Sequence, residues 1–334
     1  MIRALLVAAL AGATALAAAA AEPPRSDMKG TLSLTFENDV FGGTDKYYTT
    51  GWQVSWRSPS YDPPAWLAWI GDATVPFFPS GGSQRWGLAF GQSIFTPSDT
   101  ELRVPDPKDR PYAGWLYGAF SITSYTNSSY GSFEVQLGVV GPSSLAEQVQ
   151  NNTHDLINVD RALGWDHQLH DEPGINLILT RQWRYNRQVV TSPFGDLQVG
   201  VVPSLTGSLG NVQTYAAAGG IVRIGNKLDA DFGTPRMRPT TAGSAFFNPE
   251  QQWGWYVFAG LEGRAIARDI FLDGNTWADS PSVDKRNFIG DASLGGALFT
   301  PWGRLTYTHT FRTKEFYGQK ETSEFGSINF SMRF

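Results

Sequence analysis

Several common features are missing from this chain of 334 residues. It has no cysteine, so no disulfide can brace it in an oxidising compartment. Charged residues make up only 17%, and the formal net charge of −5 disfavours nucleic acid as a partner. Beyond residue 21, no run approaches the roughly 18 apolar residues that a membrane-spanning helix needs. These absences exclude a disulfide scaffold and a helical membrane protein, and they argue against a nucleic-acid-binding protein.

The N-terminal segment has the composition of a secretory signal. Arg3 supplies a positive charge, and the stretch LLVAALAGATALAAAA that follows is apolar and rich in small residues. Polar residues take over from Glu22. We therefore predict a signal peptide over residues 1–21, cleaved near Ala21, and a mature domain over residues 22–334 that leaves the cytoplasm.

Aromatic residues and glycine are abundant. The chain has 13% aromatic residues, including 12 Trp, and 36 Gly. This mixture is typical of many strands that carry aromatic bands and are joined by tight turns. A secreted soluble β-sandwich has a similar composition, so the alternation within each strand has to decide between the two classes.

The C-terminal strand GSINFSMRF alternates strictly between apolar and polar residues. Its apolar face comprises Ile328, Phe330, Met332 and Phe334. Similar alternation recurs near residues 31–36, 132–139 and 304–311. Segments of about ten residues that are apolar on one face and polar on the other indicate a membrane barrel. A final strand that closes on Phe also resembles the last strand of bacterial outer-membrane barrels.

We predict an all-β fold, a twelve-stranded antiparallel transmembrane β-barrel in the bacterial outer membrane, with both termini in the periplasm. The predicted strands start near residues 30, 48, 84, 112, 130, 174, 196, 212, 253, 285, 302 and 325. The first three outer connections are then residues 38–47, 95–111 and 141–173. Two inner connections, near 58–83 and 226–252, are longer than is usual for a barrel.

Polar residues concentrate in the first three outer connections, which form one patch because neighbouring strands are neighbours in space. The first contains FENDVFGGTDKYYTTG. Asn38 shares the outward phase of Phe36, so a polar group lies on the lipid-facing side of the wall. Thr49 is out of phase with Trp52, which a β-bulge could correct.

The third outer connection predicts a short extracellular helix. Ser144 can cap it, and Glu147 follows at the spacing of a capping box. Glu147, Gln150 and His154 would lie on another face of the helix, which would present His154 toward the wall and the first loop. The predicted apolar stripe comprises Leu145, Val149 and Leu156.

Three segments resemble those of the outer-membrane lipid A 3′-O-deacylase family (LpxR-like), namely ENDVFGGTDKYYTTG, DRPYAGWLYG and GPSSLAEQVQNNTHDLI…GWDHQL. The similarity covers nearly the whole mature chain. The resemblance implies a twelve-stranded barrel with active-site loops at the extracellular rim. It also implies a calcium-dependent hydrolase that removes the 3′-linked acyloxyacyl group of lipid A. Lipid A, or lipopolysaccharide, would be its partner, and we expect a monomer.

The resemblance also implies which residues form the site. The catalytic positions are His154, Asn38, Asp39, Thr49 and Asp160. His154, in the QxxxH unit, would be the base. Arg103 falls near a basic, substrate-binding position of the second loop, where the lysine that accompanies it in the family is Leu102 here.

The implied chemistry is consistent with these residue types. A neutral imidazole can deprotonate water, and Asp160 or Glu147 could orient the ring. A hard cation such as Ca²⁺, held by Asp39 and nearby backbone oxygens, can polarise an ester carbonyl. The chain contains neither a GxSxG elbow nor an HExxH pair, which favours attack by water over a serine acyl-enzyme.

Two alternatives stay open. The first is a non-catalytic barrel, a channel or structural protein, in which inward residues such as Glu134, Gln136 and Arg304 would line a wet lumen. The second is an outer-membrane phospholipase that uses Ser143 or Ser144 as its nucleophile.

Overall fold

The structure is a computed structural model that describes residues 26–42, 47–67, 69, 78–191, 196–237, 244–247 and 253–334. The predicted signal peptide lies outside the described residues. Within these ranges, no helix is both long enough and apolar enough to cross a membrane.

The described residues form one antiparallel sheet of thirteen strand segments. They are β1 (Thr31–Asn38), β2 (Tyr47–Arg57), β3 (Ser83–Thr96), β4 (Ala113–Tyr125), β5 (Ser129–Val140), β6 (Glu172–Trp183), β7 (Tyr185–Val190), β8 (Leu197–Gly210), β9 (Gln213–Gly225), β10 (Gly254–Asp269), β11 (Phe288–Phe299), β12 (Gly303–Arg312) and β13 (Ser323–Arg333). Two helices, α1 (Ala146–Ile157) and α2 (Ile270–Asp273), lie in connections.

The sheet closes into a barrel of twelve strands, as predicted. β6 and β7 are two parts of one strand, because only Arg184 separates them and both pair with β8. The ring closes where β1 pairs with β13 and where β6 pairs with β8. Every predicted strand starts within three residues of an observed one. The β7 extension was not anticipated from the sequence.

The wall follows the period of two that the sequence predicts. β10 alternates between buried and exposed residues along almost its whole length. Its outward side chains include Val257 and Leu261, and its inward side chains include Glu262 and Arg264. The apolar residues therefore face the lipid, while the polar residues face the lumen.

The long connection between β9 and β10 folds back into the lumen, which explains its length. The Asp231 carboxylate accepts hydrogen bonds from Arg223 and Arg304 at 2.8 Å each, and from the Tyr256 hydroxyl at 3.0 Å. The same connection contributes three aromatic side chains, Phe232, Phe246 and Phe247, which pack against inward-facing rings of the wall. The polar inward residues of β9 and β12 thus bind this segment.

The outer mouth of the barrel is covered by α2, in the connection between β10 and β11. Ile270 and Leu272 are fully buried, and the Phe271 ring stacks on inward-facing Phe95 with 4.1 Å between ring centroids. Together with the described residues of the β9–β10 connection, α2 places packed side chains in the lumen. Arg304, which the first alternative places in a wet lumen, is buried against Asp231.

In the other long inner connection, between β2 and β3, two described residues pack on the outside of the wall. Leu67 and Phe78 are buried against Ile122 of β4, and Trp86 and Phe120 border the same cluster. The connection is long because it covers an apolar part of the outer face near the periplasmic rim.

Candidate active site on the outer face of the wall

The first and third outer connections lie at the same rim of the barrel. The β1–β2 and β5–β6 connections both follow strands that run outward, because each successive strand in the ring is antiparallel to the one before it. The Asn38–Asp39 segment and the helix that carries His154 therefore lie at the same rim.

Asn38 builds the turn that opens the first loop. It is the last residue of β1, and its Nδ2 donates to Thr50 Oγ1 at 2.8 Å on the neighbouring strand. Its Oδ1 accepts from the Val40 backbone N–H at 2.7 Å, and a short 3-10 helix over Asp39–Gly42 follows. Phe36, in the same phase, is 43% exposed, so the amide of Asn38 lies at the top of the outer face.

A β-bulge explains the phase of Thr49. The pairing of β2 with β3 shifts register between Tyr48 and Thr50. Thr49 is buried in the wall, with its Oγ1 2.6 Å from Thr96 Oγ1. Thr50, which the sequence analysis did not single out, therefore stands beside Asn38 on the outer face.

Helix α1 begins differently from the prediction. Leu145 is its N-cap, in the left-handed conformation (φ 60°), and no side chain caps the helix. The Ser144 hydroxyl instead donates to the Gly141 carbonyl at 2.6 Å, so the predicted capping box is wrong. The predicted apolar stripe is also wrong, because Leu145 and Leu156 are exposed. The buried face comprises Ala146, Gln150 and His154, with Val149 partly buried.

The start of α1 lies on the lipid-facing side of β3 and β4. Outward-facing Gln92 of β3 donates from Nε2 to the Ser144 carbonyl at 2.6 Å. Gly114 of β4 lies under the helix: a Cβ there would be 2.0 Å from Ser144 Oγ and 2.3 Å from Ala146 Cβ. Only glycine at this position allows the helix to lie so close to the wall.

We expect Gly114→Ala to lower hydrolysis of the substrate by about tenfold or more, because the added methyl group must push α1 and its histidine away from the wall. The matched control is Gly118→Ala on the same strand and face, where the nearest atom to a new Cβ is 4.0 Å away. Initial rates for the two variants provide the comparison, and equal rates would contradict this packing role.

His154 is buried and its ring is oriented by the backbone. Its Nδ1 lies 2.6 Å from the carbonyl oxygen of Asp160. Because a carbonyl oxygen only accepts, Nδ1 carries the proton, and the lone pair of the neutral ring is on Nε2. Asp160 thus orients the imidazole, but it does so through its backbone carbonyl group. Its side chain is exposed.

Gln150 lies one helical turn before His154 on the same buried face. Its Oε1 accepts from Trp165 Nε1 at 3.0 Å, which fixes the orientation of the amide. Among the described residues, no acceptor pairs with the buried Nε2. A buried donor without an acceptor is costly, and such groups frequently have a functional explanation. From the sequence, Gln150 was predicted to share a helix face with His154, but no chemical role was predicted for its amide.

The second and third loops pack together beside α1. The Leu163 backbone N–H donates to the Thr100 carbonyl at 2.9 Å, and the Tyr112 and Trp165 rings lie 4.8 Å apart. Arg103 is exposed on the second loop. This packing brings the basic residue of one loop to the same surface as the helix of the other.

A second exposed arginine, Arg161, lies just after α1. Its Nε donates to Asp155 Oδ1 of the helix at 2.8 Å. The hydrogen bond from Arg161 holds the pKa of the Asp155 carboxyl below its ordinary value. Asp155 therefore stays ionised, and this pair fixes the segment that supplies the Asp160 carbonyl.

The DRPYAG segment, residues 109–114, has a structural role. Arg110 is buried, with its Nη1 3.3 Å from Glu315 Oε2 inside the barrel. Asp109 accepts from the Ser98 backbone N–H at 2.8 Å. The segment anchors the second loop to the wall.

Calcium takes six to eight oxygen ligands, so we tested whether the rim supplies them. Asp39 contributes a buried carboxylate. Nevertheless, no group of three or more His, Asp or Glu in the described part of the chain could hold a metal ion. Asp45 and Lys46 of the first loop lie outside the described residues. The described residues alone do not complete a calcium site, and we derive no catalytic step through a metal.

A closed twelve-stranded barrel with an apolar outer face and a polar site at its rim defines an outer-membrane β-barrel protein. The chain belongs to the LpxR family, because the family model described as "Outer membrane protein LpxR" matches residues 5–334. The solved structure of LpxR from Salmonella typhimurium shares the fold, with a TM-score of 0.72 and 18% identity over 91% of this chain and 100% of that chain. The family resemblance and the outer-membrane location are thereby confirmed.

Other solved barrels are much less similar. The translocator domain of the autotransporter NalP from Neisseria meningitidis gives a TM-score of 0.37 at 10% identity, covering 100% of this chain and 95% of that chain. The transport unit of AIDA-I from Escherichia coli gives 0.39 at 9%, covering 98% and 97%. A comparison with curated proteins finds no match.

Proposed function

We propose that the protein is a lipid A 3′-O-deacylase, a carboxylic ester hydrolase that removes the 3′-linked acyloxyacyl group from lipid A in the outer leaflet. Membership of the LpxR family supports this activity. The observation that carries the proposal is an imidazole oriented by a backbone carbonyl, on a helix that packs against the lipid-facing wall. A lipid ester can approach such a site from within the membrane.

In the proposed reaction, His154 Nε2 takes a proton from a water molecule, and the water oxygen attacks the ester carbonyl carbon. The Asp160 carbonyl stabilises the imidazolium that forms, because it accepts the Nδ1–H. The Gln150 amide donates from Nε2 to the oxyanion. When the C–O bond breaks, His154 returns the proton to the sugar oxygen, which releases the fatty acid and leaves a free 3′-hydroxyl group.

The remaining predicted residues have supporting roles in this proposal. Asn38 and Thr50 present an amide and a hydroxyl to the lipid at the edge of the site. Thr49 holds the strand beneath them through Thr96. Arg103, exposed on the second loop, would contact the phosphate of the lipid head group.

The described contacts favour water over a serine nucleophile. The Ser143 hydroxyl donates to Asp171 Oδ2 at 2.7 Å, and the Ser144 hydroxyl is buried and donates to Gly141. Both hydroxyl groups are thus hydrogen-bonded to acceptors other than an imidazole. This observation weighs against the phospholipase alternative with either serine.

The direct experiment is to incubate the purified protein with lipid A and to analyse the products by mass spectrometry. The proposal predicts loss of the 3′-linked acyloxyacyl group and no further loss from lipid A that already lacks it. Fatty acid release from phospholipid without any change in lipid A would instead support the phospholipase. No change in either lipid would support the non-catalytic barrel.

We also propose that activity requires Ca²⁺, with Asp39 as one ligand. Chelation with EDTA is then expected to remove most activity, and added calcium to restore it. Asp39→Asn should need more calcium for half-maximal rate, whereas the control Asp166→Asn, at an exposed position of the third loop, should not. Full activity of the wild-type protein in EDTA would contradict the calcium requirement without affecting the assignment of His154.

A further inference from the structure

Three polar or ionisable side chains lie together on the lipid-facing side of β12 and β13. Tyr307 is 40% exposed, and His309 follows it in the same phase on β12. In the sheet register His309 is opposite Gly326 of β13, and Gly326 is opposite Asn38 of β1. Since neighbouring strands are roughly 4.8 Å apart, His309 lies about 10 Å from Asn38 along this row. The third member, Glu324, is the second residue of β13 and lies two residues before Gly326.

The loop that carries Asn38 and Asp39 packs directly on this cluster. The Phe41 ring lies edge-on to the Tyr307 ring, with 6.0 Å between centroids. A Cβ on Gly42 would be 2.8 Å from Glu324 Cβ. The cluster is thus continuous with the candidate active site, on the side opposite helix α1.

The carboxylate of Glu324 is available to a ligand. Its Oε2 is 3.7 Å from His309 Nε2, too far for a hydrogen bond, and the side chain is 38% exposed. Within the described part of the chain it makes no hydrogen bond. The Tyr307 hydroxyl lies 3.3 Å from His309 Nδ1 and retains further hydrogen-bonding capacity. The other large side chains on the outer face of β12 and β13 are apolar, so these ionisable groups are candidates for a binding role at the membrane surface.

The chemistry of the cluster selects the ligand. A carboxylate accepts hydrogen bonds and repels phosphate, and an acyl chain offers it no donor. Sugar hydroxyl groups donate to a carboxylate, and the apolar C–H faces of a sugar pack against aromatic rings. Such rings stand on both sides of the cluster, in Phe41 and Phe311. The cluster therefore suits a saccharide head group at the membrane surface.

We propose that Glu324 and Tyr307 form a lipid-facing subsite that binds hydroxyl groups of the sugar head group of a glycolipid, next to the candidate active site. The assignment of that glycolipid as the substrate rests on the proposed function. The subsite would hold the head group from the β12–β13 side while the ester reaches His154 beneath α1.

The test measures binding without turnover. His154→Ala protein in detergent is mixed with lipid A, and native mass spectrometry gives the fraction of protein that retains the lipid. Adding Glu324→Ala is expected to lower this fraction at least fivefold, and Tyr307→Phe to lower it by a smaller factor. Leu209→Ala, at a 65% exposed position of the outer face on β8, should leave it within twofold.

Three results would overturn the subsite. The first is that the Glu324→Ala protein retains as much lipid A as the protein with Glu324. The second is that the substitution lowers retention of phosphatidic acid, which has no sugar, by the same factor, and the third is that it lowers retention of lipid A in calcium but not in EDTA. The last result would make Glu324 a cation ligand instead. Heat-dependent migration in gels shows whether each barrel is folded, and Tyr307→Phe tests the subsite if the Glu324 variant does not fold. Because retention does not depend on turnover, an inactive wild-type protein would refute only the proposed function.

Discussion

Replacing His154 with alanine is expected to lower the rate of lipid A deacylation by about 10²–10⁴-fold, which is the usual contribution of a positioned general base. The loss arises in the chemical step, since the ring supplies the nitrogen that takes the proton from water. Substrate binding should change little, because the lipid contacts are spread over the wall and the loops. The measurement is the initial rate of fatty acid release by purified protein, with kcat and KM determined separately.

The matched control for this variant is His167→Ala, which removes an exposed imidazole from the same loop. It should keep the wild-type rate. An active His154→Ala protein would refute His154 as the base, and a large loss in His167→Ala would show that the third loop tolerates no substitution. The amide of Gln150 gives an independent check, because Gln150→Glu replaces the buried donor with an acceptor and should also lower kcat.

Replacing Asp231 with alanine should destabilise the barrel by about 3–5 kcal/mol, because it leaves the buried guanidinium groups of Arg223 and Arg304 without their shared carboxylate. Both arginines are fully buried in the lumen. The expected result is a lower urea midpoint for unfolding of the detergent-solubilised protein, followed by tryptophan fluorescence.

Asp229→Ala is the control, since this carboxylate lies on the same connection but is 61% exposed and 3.8 Å from Arg184. The Asp229 carboxylate is in contact with solvent, and buried Arg184 also donates to the backbone carbonyls of Asn127 and Asp231, so the midpoint should move by the equivalent of less than about 1 kcal/mol. If both variants unfolded at the same urea concentration, the packed lumen would contribute nothing to stability. The fold would then be held by the wall alone.

The packed lumen also connects the periplasmic side to the candidate site. Arg236, on the connection between β9 and β10, donates from Nε to Glu37 Oε1 at 2.8 Å, and the Met237 backbone N–H donates to the same oxygen at 3.2 Å. Glu37 directly precedes Asn38 and faces inward. The first loop is therefore supported from inside the barrel, while its polar side chain faces the lipid.

The wall was predictable because its signal is local. A strand between lipid and a polar lumen alternates with period two, and β1, β6 and β10 show this pattern clearly, which made the strand count and the rim assignments predictable. The bulge at Thr49 was visible as a phase error between Thr49 and Trp52, although the sequence could not show that Thr50 is the residue beside Asn38.

The helix and the lumen were harder to predict because their partners are distant in the sequence. Hydrophobicity placed Leu145 and Leu156 on the buried face of α1, whereas the helix packs on the wall through a small residue at Gly114 and buries Gln150 and His154. Arg304, similarly, was interpreted as lining a wet lumen. An isolated inward arginine together with an unusually long connection was the available signal that the connection returns to pair with it.

The most direct test of the account is mass spectrometry of lipid A from cells that express this protein, compared with cells that express the His154→Ala variant at the same level. If the rim site acts on lipid in the outer leaflet, wild-type cells should contain lipid A that lacks the 3′-linked acyloxyacyl group, and variant cells should retain it. Identical lipid A from both strains, with the barrel folded in the outer membrane and the 3′ chains present, would contradict the account.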